Sequence, residues 1–178
     1  SFNHQLRTEA PLPGRRERTQ AFGQEKMSKH ETWRTREYWR EVGGLLIEEF
    51  HAIKGDKELD IGKRAIDGVI VLGEPSAIQT GGVHDFKGKD LIVIQTKSDR
   101  LGMYLMGQAY FSREIMRRFN PRSVKAVAIC GRTDAEMVAL CSQADIEVRV
   151  IPDNSSPIAE DRDEQSNPTA EQGNEGDG

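Results

Sequence analysis

The fold of this chain is decided by two short apolar runs, AIDGVIV at residues 65–71 and DLIVIQTK at residues 90–97. Both runs are rich in β-branched residues and predict buried strands. Each also contains polar residues, because Asp67 interrupts the first run and Gln95 and Lys97 end the second. Gln95 and Lys97 are two residues apart, so on a strand they point to the same face. Since burying an unpaired charge is costly, this pattern indicates that the polar groups meet at a metal ion and a phosphate.

The arrangement resembles the PD-(D/E)XK nuclease superfamily. The resemblance rests on Asp67, on Gln95-Thr96-Lys97 and on the order of the surrounding elements. In that superfamily an Asp on one strand and a Glu/Gln-x-Lys motif on the next bind magnesium and cleave phosphodiester bonds. Gln in the first position of the second motif is similar to the Mrr-type branch. The residue before Asp67 is Ile66 rather than Pro.

The resemblance implies a role for each motif residue. Asp67, Gln95 and the carbonyl group of Thr96 would hold Mg²⁺ or Mn²⁺, a cation that prefers oxygen ligands and lowers the pKa of bound water. Lys97 would orient or deprotonate the attacking water and stabilise the developing charge. Simpler interpretations stay open: Asp67 paired with Lys63 or Arg64, Gln95 bonded to a loop, and Lys97 solvated at a strand end.

Members of this superfamily often add a Glu from the first helix. Glu41 lies one turn before Leu45 and borders the apolar stripe of the predicted helix, so we expect it to join the site. Glu49 is the second choice if that helix continues further. For nucleic-acid contacts the sequence offers Lys63, Arg64 and Arg100. Tyr104, in the helix after Lys97, is expected to pack in the core.

The predicted fold class is α/β with a restriction endonuclease-like core, in the order helix, three strands, helix, strand, followed by a further helix and strand. No G-x-G-x-x-G turn follows the first strand, which argues against a dinucleotide-binding fold. Asn120-Pro121 ends the second helix. The predicted elements are a helix from Glu31 to about Glu48, a strand over Glu49–Lys54 (or a helix continuing to Ile53), a charged hairpin loop at 56–63, a strand Lys63–Leu72, a loop Gly73–Gly88, a strand Lys89–Thr96, a helix Leu101–Phe119, a strand Val124–Cys130, a helix Thr133–Ala144 and a strand Ile146–Ile151.

Composition divides the chain into three parts. Residues 1–30 are polar and Arg-rich and predict a flexible basic arm, and residues 31–152 predict one nuclease-like α/β domain. Residues 153–178 contain eight acidic side chains and one basic one, and they have almost no large apolar residues. Such a segment is typical of a disordered acidic tail. Without it, the net charge of −4 becomes mildly positive, which is compatible with nucleic-acid binding.

The same composition argues against several other classes of protein. The mean hydropathy is −0.64 and no apolar run is long enough to span a membrane, so we expect no membrane partner. The polar start shows no signal peptide, which favours a cytoplasmic location. Cys130 and Cys141 predict two reduced, buried thiols. The chain contains no CxxC or HExxH spacing of the kind that binds structural zinc.

These observations predict a Mg²⁺-dependent endodeoxyribonuclease that acts in restriction or defence, or in repair. A domain of this size needs a homodimer, a partner subunit or a distinctive DNA structure to find its target. The first alternative is a catalytically inactive member of the same fold that binds DNA or a protein partner. The second is an interaction protein whose basic arm and acidic tail bind other proteins.

Overall fold

The computed structural model describes residues 29–153, which form three α-helices and six β-strands. A short 3₁₀ helix, Arg117–Phe119, follows the second α-helix directly. The expectations for a flexible arm and an acidic tail fall almost entirely on residues 1–28 and 154–178 and lie outside the described residues. In chain order the elements are α1 (Lys29–Val42), β1 (Leu45–Ile53), β2 (Arg64–Val71), β3 (Ala77–Thr80), β4 (Asp90–Thr96), α2 (Met103–Met116), β5 (Ser123–Cys130), α3 (Ala135–Gln143) and β6 (Ile146–Val150).

The six strands form one mixed sheet in the order β3-β1-β2-β4-β5-β6. β2 lies between β1 and β4 and is antiparallel to both. The other pairs, β1 with β3, β4 with β5 and β5 with β6, are parallel. Parallel neighbours need crossover connections, and α2 and α3 supply them between β4, β5 and β6. The predicted α/β class is therefore confirmed, and β2 and β4 lie side by side in the middle of the sheet.

Helices cover both faces of this sheet. α1 contacts β2 and β4, and Tyr38 of α1 shares a cluster with Ile92 and Ile94. α2 packs against β4 and β5 on the other face, where Leu91 and Val93 lie. Because side chains alternate along a strand, β4 contributes to both clusters, and its residues 91–94 form a continuous apolar run.

Two expectations about the elements are wrong. The first helix ends at Val42 rather than near Glu48, because Gly43 and Gly44 have φ angles of 78° and 83° and turn the chain into β1. A Cβ on Gly44 would lie 2.6 Å from the carbonyl oxygen of Val71, so this turn needs a glycine. The predicted loop between residues 73 and 88 contains β3, an exposed four-residue strand at the sheet edge.

Three other expectations can be compared with the structure. The charged hairpin between β1 and β2 is confirmed by the bridge that joins Asp56 to Ile61. Cys130 and Cys141 are buried and free, as predicted. Within residues 29–153, no helix has both the length and the apolar character that crossing a bilayer requires. The cytoplasmic location stays a prediction.

Candidate active site

Asp67 lies where β2 and β4 stop pairing. The antiparallel register runs from Val71 opposite Leu91 to Gly68 opposite Ile94, and Asp67 is the next residue of β2. The backbone N–H of Thr96 donates to Asp67 Oδ2 at 2.8 Å. The carboxylate therefore takes the place of a backbone acceptor at the end of the ladder, which explains why a strand accommodates an acid at this position.

The environment of Asp67 disfavours its charged form. Burial is the largest effect and raises the pKa of this carboxyl group to about 6, although the Thr96 N–H and the Lys97 ammonium both lower the pKa. Glu31 and Glu49 raise the pKa through charge repulsion. Two further acids and one lysine therefore act electrostatically on Asp67. A carboxyl group with a strongly raised pKa is typical of functional sites.

Lys97 is the basic member of this group. It follows the last residue of β4 and is partly buried, and its backbone N–H donates to the carbonyl oxygen of Ile129 at 2.9 Å. Its Nζ lies 5.9 Å from the centre of the Tyr104 ring. β4, β5 and α2 thus position the Lys97 ammonium group near Asp67. This group lowers the pKa of the carboxyl group by less than burial raises it.

Glu49 has an unusual backbone conformation. Its neighbours Glu48 and Phe50 pair with Gly68 and Ile66, so Glu49 lies opposite Asp67 across the β1–β2 ladder. Its φ angle is 51°, in the left-handed region that non-glycine residues rarely adopt and that is frequent at functional sites. Glu49 was the second choice from the sequence, on the assumption of a longer helix. It lies on β1 instead.

Glu31 comes from the first turn of α1 and has no counterpart among the residues singled out from the sequence. One turn later, the hydroxyl groups of Thr35 and Thr96 lie 3.0 Å apart and are buried. This hydrogen bond joins the beginning of α1 to the end of β4. No local sequence signal could have indicated Glu31, because its nearness to Asp67 depends on how α1 packs on the sheet.

Gln95 is directed away from the acidic group. Its Nε2 donates to Ser112 Oγ of α2 at 2.8 Å and approaches the carbonyl oxygen of Ala65 at 3.5 Å. The next residue, Thr96, bonds to Thr35 of α1, so these two neighbours point to opposite faces of the sheet. The structure therefore brings Asp67 and Lys97 together and leaves Gln95 on the α2 side.

Glu41 also lies elsewhere in the structure. It forms an ion pair with Arg149 of β6, and it is not among the groups that shift the pKa of Asp67. Glu48, another acid of this region, is buried and accepts two hydrogen bonds from Arg36, at 2.7 and 2.9 Å. Both acids have structural partners.

The three cations expected to contact nucleic acid are all exposed. Lys63 directly precedes β2 and Arg64 begins it, four and three residues before Asp67, and Arg64 Nη1 donates to the carbonyl oxygen of Lys63. Arg100 lies beyond Lys97 and pairs with Asp134 at the beginning of α3 at 3.5 Å. Lys63 and Arg64 therefore flank the strand that contains Asp67.

The donor chemistry fits a hard divalent cation. Asp67, Glu31 and Glu49 supply carboxylate oxygens, which Mg²⁺ prefers, and a cation would relieve the repulsion among them. Across residues 31–153, however, no group of three or more His, Cys, Asp or Glu side chains is close enough to hold a metal ion as placed. A metal ion would therefore require these side chains to rotate inward.

Comparison with known proteins adds no family to this description. No protein-family model matches the chain, and no curated protein is significantly similar to it. The fold and the site together define a mixed α/β protein with a carboxylate–lysine centre where the two central strands β2 and β4 stop pairing.

Proposed function

We propose that this protein is a metal-dependent nuclease with a restriction endonuclease-like core that hydrolyses DNA phosphodiester bonds. One observation carries the proposal: a partly buried aspartate within β2 and the lysine that follows β4 lie close to the point where these two neighbouring strands stop pairing. An acid and an ammonium group in this relation suit phosphate hydrolysis, because one can hold a cation and the other can stabilise an anionic transition state.

Asp67, with Glu31 and Glu49, would hold Mg²⁺ or Mn²⁺, and the Thr96 carbonyl group would assist as the superfamily resemblance implies. When bound, such an ion neutralises phosphate charge and lowers the pKa of coordinated water. Lys97 would donate from Nζ to a phosphate oxygen and stabilise the charge that develops there. Lys63 and Arg64 would contact the flanking backbone as exposed cations.

This division of roles differs from the one expected from the sequence. Gln95 keeps its hydrogen bond to Ser112 and supports the position of α2, and Glu41 keeps its ion pair with Arg149. Glu31 and Glu49 replace them near Asp67. Because the carboxylate form of Asp67 is needed to hold a cation, cleavage should increase as the pH rises through about 6.

A cleavage assay tests the proposal. Supercoiled, linear and branched DNA would be incubated with Mg²⁺ or Mn²⁺ and with the wild type, Asp67→Ala, Lys97→Ala or Glu41→Gln. We expect metal-dependent cutting by the wild type and Glu41→Gln, and a loss of at least about 100-fold in the other two. Cutting that survives both Asp67→Ala and Lys97→Ala would refute the site.

A catalytically inactive module of the same fold is the second candidate, and the position of Gln95 favours it. Gln95 bonds to Ser112 rather than facing Asp67, so one member of the expected metal-binding motif is engaged elsewhere. This candidate predicts DNA binding in EDTA that is unchanged by Mg²⁺, with no cutting of any DNA form. Metal-dependent cutting would exclude it.

A further inference from the structure

A groove of about 520 Å³ lies between α2 and the start of β2, and its lining includes Ile66, the residue before Asp67. Its volume is in the range of small-molecule and cofactor sites. Gln95 and Ser112 line it, and Arg64, Tyr104 and Phe111 lie along its sides. The groove therefore extends from Gln95, two residues before Lys97, along one side of α2.

The α2 side of this groove exposes large apolar side chains. Met103, Tyr104 and Phe111 are 75%, 70% and 64% exposed. Tyr104 was expected to pack in the core, and that expectation is wrong. Tyr104, Gly107 and Phe111 are separated by three and four residues, so they share one face of the helix. Clustered exposed aromatic residues beside a concave surface mark a binding site.

Charge and ring geometry limit the chemistry of the ligand. Among the described residues that line the groove, Arg64 is the cation and none is an acid. The Lys97 ammonium group lies 5.9 Å from the centre of the ring of Tyr104, which lines the groove. An anionic ligand with a flat aromatic part fits this combination, because cations attract its phosphate and the aromatic side chains stack on its ring.

The inner wall of the groove also contains a hydrogen-bonding group, the side-chain amide of Gln95. Gln95 Nε2 is used by Ser112 and Ala65, while Gln95 Oε1 accepts no hydrogen bond from the described residues. Every fully buried side-chain polar atom of the described residues has a partner, so Oε1 is at least partly accessible, on a residue that lines the groove. The amide oxygen can accept a hydrogen bond from the edge of a base.

We propose that this groove binds an unpaired nucleobase of the strand whose phosphate lies at Asp67 and Lys97. The base stacks on Phe111, its edge faces Gln95 Oε1, and its backbone passes Arg64. The inference rests on the proposed function and deepens it, because it assigns a substrate with unpaired bases to the same site.

Two glycines of this region allow a matched test. A Cβ on Gly107 or on Gly102 meets no atom within 4 Å, so both positions accept a larger residue without disturbing the core. Gly107 lines the groove and Gly102 does not. Gly107→Leu therefore fills the groove, and Gly102→Leu controls for added apolar surface. Phe111→Ala removes the stacking surface instead.

The binding of two labelled oligomers would be measured in EDTA by fluorescence anisotropy. One is oligothymidylate, and the other is a deoxyribose-phosphate oligomer of equal length without bases. Base stacking is worth about 1–3 kcal/mol by alanine substitution, so the wild type should prefer oligothymidylate by roughly 5- to 150-fold. Gly107→Leu and Phe111→Ala should lose the preference, and Gly102→Leu should keep it.

Several results would overturn the inference. They are equal binding of the two oligomers by the wild type, no binding of either, or an unchanged preference in Gly107→Leu. A dimer in light scattering that Phe111→Ala dissolves would assign the groove to a second copy of the chain instead. Because EDTA prevents metal-dependent cutting, the assay measures oligomer binding separately from cleavage. A preference for oligothymidylate without cleavage would refute the proposed nuclease activity and support the nucleobase-binding groove. Cleavage without that preference would support the nuclease activity and refute the groove.

Discussion

Replacing Asp67 by Asn should stabilise the protein in alkaline solution. The folded state raises the pKa of this carboxyl group from 3.8 to about 6, a difference of about two units. Each unit is worth about 1.4 kcal/mol, so the ionised carboxylate costs about 3 kcal/mol of folding free energy well above pH 6. Asn has no charge, and its side-chain oxygen can still accept the hydrogen bond from the Thr96 N–H.

The sign of the pH dependence follows from the raised pKa. Below pH 3.8 the carboxyl group is protonated in both folded and unfolded states, so wild type and Asp67→Asn differ little. Between pH 3.8 and about 6 the unfolded state has lost this proton while the folded state still holds it, so the wild type loses stability as the pH rises across this range. The advantage of the Asn variant should therefore reach about half its full size near pH 5 and level off above pH 7.

Urea denaturation in EDTA at a series of pH values would measure this difference. Asp99→Asn is the matched control, because the Arg100 N–H and Arg132 lower the pKa of the Asp99 carboxyl group. That control should lose stability at neutral pH rather than gain it. An Asp67→Asn variant no more stable than the wild type at pH 8, or with a gain that does not depend on pH, would refute the reasoning about burial.

Three further predictions concern the sheet, the second helix and the acids of the first helix and strand. Gly68→Ala should lower the free energy of unfolding by about 1–3 kcal/mol in urea, because its Cβ would lie 2.8 Å from Thr35 Cγ2; an unchanged midpoint would contradict this packing. Arg113→Met should cost about 2 kcal/mol by thermal denaturation, since two partly buried hydrogen bonds to carbonyl groups just after the end of α3 are lost; a neutral effect would show that water replaces them. Glu49→Gln should slow metal-dependent cleavage at least about 10-fold and Glu41→Gln should not, because only Glu49 acts on Asp67; equal rates in the two variants would contradict this assignment.

The central strands could be predicted from the sequence because their apolar residues are the ones that are buried. Apolar residues follow one another at positions 91–94 of β4 and through the second half of β5, since both faces of these strands are covered. β3 could not be predicted, because its four residues are exposed and its pairing with β1 depends on tertiary contacts. The end of α1 was missed because two glycines in an apolar pattern fit either a helix or a turn.

The candidate site was predictable only where polar residues interrupt apolar strands. Asp67 and Lys97 meet that condition, and the structure brings them together. The nearness of Glu31 depends on the angle between α1 and the sheet, which the Thr35–Thr96 hydrogen bond helps to set. The orientation of Gln95 depends on Ser112, a residue 17 positions later on another element. No local pattern encodes either relation.

The most direct test of the central claim is the single-turnover cleavage rate of one end-labelled DNA substrate, measured for the wild type and for Lys97→Ala in Mg²⁺ or Mn²⁺. The account predicts metal-dependent cutting by the wild type and a rate at least about 100-fold lower for the variant, with DNA binding retained. Equal rates for the two proteins, or no cutting by the wild type on any DNA form, would contradict it.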